Sequence, residues 1–142
     1  MAARHRAAAQ VLRNAEERAC EGISAEDRDA SPFFHGADIR SVAQLRDPLS
    51  LGATRLAGAT IVFRAVPGLT AEWLQRILDC HLARNVAMGY DMPEMAYCPL
   101  AIRSVSASVV SAGDGFAVEV RSDSEAGAAE IWRRAQQIQL TF

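Results

Sequence analysis

Soft metal ligands gather in one short stretch of this chain. Cys80, His81, Met88, Met92, Met95 and Cys98 supply two of three cysteines, one of three histidines and three of four methionines. Thiolate, imidazole and thioether are the donors that Cu(I), zinc and haem iron select. The stretch points to a small protein binding a soft metal, copper first, or haem. His81, Met88, Met92 and Met95 would form the site, with Cys80 and Cys98 as further metal ligands. C-x-x-C-H is absent, so a bound haem would be non-covalent. Met92-Pro93-Glu94-Met95 sets two thioethers at one loop apex.

Each donor also has a structural use. Methionine fills irregular gaps under loops. An imidazole on an apolar helix face must find a partner, and a backbone carbonyl serves as well as a metal. Three cysteines allow one disulfide and one odd thiol. Cys80 and Cys98 are rivals for such a bridge, and Cys20 is a rival partner for either. If both cluster cysteines are bridged, only His and Met remain as ligands. A cysteine enzyme is a weaker reading. Cys80 and His81 diverge by about 100° on a helix, which leaves His35 to approach Cys80 or Cys98. No residue is assigned a catalytic role.

These donors need elements to position them. Residues 2–20 are Ala-rich, with Val11, Leu12, Ala15 and Ala19 at helical spacing, and the helix should stop near Gly22. Residues 44–57 read as irregular, with Pro48 and Gly52. Ala59–Val66 is β-branched and apolar, a strand. Thr70 caps a helix from Ala71 to about Met88, with Gly89 as its stop. That helix presents Trp73, Leu74, Ile77 and Leu78, with His81 at the centre of the stripe. Residues 89–101 form a loop and would be the access side of the site. Ile102–Val110 alternates, Ala112–Gly115 turns, and Phe116, Val118 and Val120 return toward the core. Ser122 with Glu125 reads as a capping box before a helix that buries Ala128, Ile131, Trp132, Ala135 and Ile138. Residues 139–142 are frayed or form a last strand.

The order from residue 58 is β-α-β-β-α, with that optional last strand. It predicts an α+β fold: a ferredoxin-like βαββα(β) sandwich (58–142) with an N-terminal helix and irregular wrap (1–57), together one compact unit. The outline resembles small heavy-metal-associated domains in topology. Their cysteine pair lies between the first strand and first helix. Here that loop is Val66-Pro67-Gly68-Leu69-Thr70, without cysteine, so no residue roles carry over. The Met-Pro-Glu-Met spacing is similar to methionine arrangements in periplasmic copper carriers.

Composition excludes several function classes. A net charge of −2, with every one of the 15 basic residues an arginine scattered along the chain, argues against a nucleic-acid surface. No stretch approaches the ~20 apolar residues of a membrane span. The N-terminus lacks the apolar core of a signal peptide. A bacterial, exported copper protein is expected only if a leader was removed, in which case a periplasmic location is favoured over a cytoplasmic one. The alternative function is a cofactor-free protein-interaction module stabilised by a disulfide. It would use a sheet edge or helix face to bind a partner or a second copy of itself.

Overall fold

The computed structural model describes residues 2–34 and 38–141. Helix α1 spans Ala2–Ala19 and the short α2 spans Ala25–Asp29. Strands β1 (Ile39–Pro48) and β2 (Thr54–Phe63) form a hairpin. Helix α3 (Ala71–Ala87) follows, then β3 (Val105–Ala112), β4 (Gly115–Ser122) and α4 (Glu125–Thr141). The four strands make one antiparallel sheet in the order β1-β2-β4-β3.

The α+β class holds, and the strand order needs correction. β4 inserts between β2 and β3, which α3 connects, as a split βαβ unit requires. The position beside β2 is filled by β1, which precedes it in the chain. Residues 139–141 continue α4 instead of forming a last strand, and Phe142 lies outside the described residues. The order is therefore ββαββα, not the ferredoxin-like βαββα(β).

The stretch read as irregular, residues 44–57, contains the second half of β1 and the start of β2. Register shifts between Ile39/Ser41 and Leu45/Arg46 interrupt β1. Bulges of this kind break the alternation by which a strand is recognised. Gly58 sits beside the second shift at φ 153°, and a Cβ there would collide with the Val120 carbonyl oxygen. Only glycine fits that approach. The cap of α4 also differs from expectation. Ser124 Oγ accepts from Gly127 N at 2.9 Å, while Ser122 Oγ accepts from Ser124 N one step earlier.

One apolar core joins the sheet to α3 and α4. It contains Ala59, Ile61 and Phe63 of β2, Val118 and Val120 of β4, Leu74 and Leu78 of α3, and Ile131, Ala135 and Ile138 of α4. These are the alternating strand positions and the i, i+4 helix positions that periodicity predicts. Helix α1 packs on α3 and buries no residue of its own.

Candidate functional site

Helix α3 serves two neighbours, and its periodicity divides the work. Leu74, Leu78, His81 and Asn85 recur at helical spacing and are buried. Trp73, Ile77 and Cys80 lie to one side and pack with Cys20 and Ile23. Cys80 is bonded to Cys20, which ties the end of α1 to the middle of α3. Of the pairings the sequence allows, this leaves Cys98 free and buried.

Polar bonds to backbone complete the junction. His81 Nε2 lies 2.7 Å from the Asp27 carbonyl oxygen. A carbonyl only accepts, so Nε2 carries the proton and Nδ1 is the acceptor. Burial holds the imidazole pKa below its ordinary 6.5, with the Asp27 bond opposing that shift. Arg28 donates to the Ile23 carbonyl at 2.8 Å and the Cys20 carbonyl at 2.7 Å. Arg84 donates to the Arg28 carbonyl and to the Asp29 carboxylate. Arg76 donates to the Glu21 carbonyl.

The loop after α3 is pinned at its far end. Gly89 and Tyr90 both turn at positive φ, and Tyr90 N returns to the Asn85 carbonyl at 2.9 Å. Asn85 Nδ2 donates to the Leu100 carbonyl at 2.8 Å. Arg134 of α4 reaches the carbonyls of Cys98 and Ala101. Between these anchors, Pro93–Met95 makes one short 3₁₀ turn. A cleft of about 220 Å³ results. Arg28 and Asp29 line it from α2, and His81, Arg84 and Asn85 from α3. Met88, Met92, Glu94 and Met95 complete it.

The structure brings the predicted cofactor-binding residues His81, Met88, Met92 and Met95 to one cleft, but it does not make a metal centre of them. Among the described residues, no group of three or more His, Cys, Asp or Glu side chains could hold a metal ion. The expectation of a copper, other soft-metal or haem site is corrected on four counts. Cys80 has spent its thiol on Cys20. Cys98 does not line the cleft. It is 3% exposed, with its sulfur 3.1 Å from Ser31 Oγ, and burial pushes its thiol pKa up, away from a ligating thiolate. The Nε2 of His81 is committed to backbone. The thioethers serve different surroundings: Met92 is buried, Met95 packs against the core and Met88 is exposed.

The raised pKa of Cys98 also runs opposite to what a nucleophilic thiol needs. His35, the imidazole considered as its activator, lies outside the described residues. Sequence reading did not find Arg28, Arg84 and Asn85, which shape the cleft. Asn85 carried a signal, as a polar side chain one turn beyond His81 on the apolar stripe. Arg28 and Arg84 carried none, because their acceptors are backbone carbonyls.

Compared with known proteins, the chain matches no family model, no curated protein and no solved structure. Among the described residues, no helix is long and apolar enough to cross a membrane.

Proposed function

We propose that this chain is a protein-interaction module, locked by the Cys20–Cys80 disulfide, whose docking surface is the methionine-lined cleft. The observation that carries the reading is the cleft's apolar border. Met88, which lines it, stands 44% exposed, and Val86 and Tyr97, each 38% exposed, lie within two residues of lining residues along the chain. Helices α1 and α3 run antiparallel, with Cys20 bonded to Cys80 and Glu16 3.9 Å from Arg84. One further step of four residues on each helix sets Leu12, 36% exposed, level with Met88. Large apolar side chains gathered around a concavity favour association. Methionine suits such a surface because its unbranched thioether adapts to the partner. The buried disulfide also favours an oxidising compartment, in line with export.

A photo-crosslinking residue at Met88, in the cells that make the protein, tests this. A discrete adduct from Met88 and none from Ser108, on the exposed side of β3, is the expected result. An adduct of twice the chain mass would identify the partner as a second copy. Absence of any discrete adduct from Met88 contradicts the proposal.

A further inference from the structure

We propose that the cleft accepts an aromatic side chain carrying one hydrogen-bond donor, a tyrosine or tryptophan of the partner. This rests on the protein-interaction reading and names the anchor that reading leaves open.

Two of the residues that line the cleft carry a side-chain acceptor. His81 and Asn85, 5% and 6% exposed, both line it. Each has one polar atom committed: His81 Nε2 to the Asp27 carbonyl and Asn85 Nδ2 to the Leu100 carbonyl. The atoms left are His81 Nδ1 and Asn85 Oδ1, and both accept. Among the described residues, no fully buried side-chain nitrogen or oxygen lacks a partner. Among the described residues Nδ1 and Oδ1 have no hydrogen-bond partner, so neither is fully buried, and the cleft is the concavity that both residues line. Four residues apart on α3, they lie on one helix face. A donor entering the cleft has these two acceptors to meet.

The walls select the rest of the ligand. Met88, Met92 and Met95 offer thioether sulfurs, which favour contact with aromatic rings. A cavity of roughly 150 Å³ already holds benzene, so about 220 Å³ accommodates a phenol or an indole. The charges lining the cleft balance, Arg28 and Arg84 against Asp29 and Glu94, so an anion gains little. Arg28 is bound to two carbonyls, and Arg84 to a carbonyl and to Asp29. Asp29 is paired with Arg84 and Glu94 stands exposed, so an ammonium buried in the cleft would exchange its hydration mainly for neutral acceptors. Tyrosine and tryptophan combine a large ring with one donor, and both are enriched among binding hot spots.

Carbon-13 methyl-methionine labelling of the full chain reads this directly. Titration with p-cresol or 3-methylindole should move the Met92 and Met95 methyl signals by ring current, saturating in the millimolar range. 4-Methylanisole keeps the ring and loses the donor, and should bind about fivefold more weakly, the worth of one neutral hydrogen bond. Equal binding by p-cresol and 4-methylanisole would overturn the proposal. So would tighter binding by butylammonium, or methyl signals that do not respond. The comparison uses the unaltered protein, so a misfolded variant cannot obscure it. If the methyls stay still while the Met88 adduct forms, the anchor is wrong and the interaction reading stands. If p-cresol binds while no adduct forms, the occupant is a free phenol or indole and the partner's role is overturned.

Discussion

The two sides of α3 are held by different physics. Toward the sheet, Leu74 and Leu78 enter a core of aliphatic side chains shared with β2, β4 and α4. Toward the N-terminus, α1 buries nothing of its own and is secured by one disulfide. Side-chain donors then hold the segment after it by backbone carbonyls, from Glu21 to Arg28. The first side is spread over many small contacts and should fail as a whole. The second is concentrated in a few bonds and should fail locally. The cleft lies at that second boundary, between α2, α3 and the loop.

Removing the disulfide should separate the two sides most strongly. The bridge closes a loop with a sequence separation of 60, for which chain entropy gives about 4 kcal/mol. In the Cys20→Ala, Cys80→Ala double variant, α1 amides should lose their protection from hydrogen exchange while those of Ile61 and Val118 keep theirs. Protection of α1 equal to that of the intact protein would refute the division. Leu78→Ala tests the other side. Leu78 is fully buried, and the cavity should cost about 3 kcal/mol in chemical denaturation. That loss should lower protection across the sheet and α4 together.

The next effect is a pH dependence. The folded-state pKa of His81 lies below the ordinary 6.5 because burial penalises the charged ring. Its contribution to stability is complete above 6.5, where both states are neutral. It is lost as pH falls through the lowered folded value, because the unfolded chain then binds the proton more tightly. Denaturation midpoints should fall between pH 7 and pH 5, and His81→Gln, which keeps a donor for Asp27, should flatten that slope. Glu130, held down to about 2 by Arg133 and Arg134, titrates below this window and should not obscure it.

The smallest effect concerns the sheet edges. On β3, Gln75 Oε1 accepts from Val109 N at 2.9 Å and Gln75 Nε2 donates to the Ala107 carbonyl at 3.1 Å. Gln75→Ala should cost about 1 kcal/mol and speed exchange of the Val109 amide. No change at Val109 would mean that the edge is protected by packing alone.

The same division explains what the sequence revealed. The aliphatic side announced itself. Leu74 and Leu78, Ile131 and Ala135, Val118 and Val120 recur at helical or strand period because each must face the same core. The second half of strand β1 was hidden because its bulges spoil the alternation, and the cap of α4 was misplaced by two residues, at Ser122 instead of Ser124. On the N-terminal side, nothing in the spacing of Cys20, Cys80 and Cys98 selects a pair. The donors of Arg28 and Arg84 end on carbonyls, which every residue carries. The gathering of His81, Met88, Met92 and Met95 around one feature was legible. Its chemistry was not, because that depended on where Cys80 found its partner and on the Asp27 carbonyl behind His81.

Peptide mapping of the intact protein under non-reducing conditions tests the central claim most directly. The account predicts a peptide pair joining Cys20 to Cys80, with Cys98 alkylated only after unfolding. A bridge between Cys80 and Cys98, or a free Cys80 in the folded protein, would contradict it.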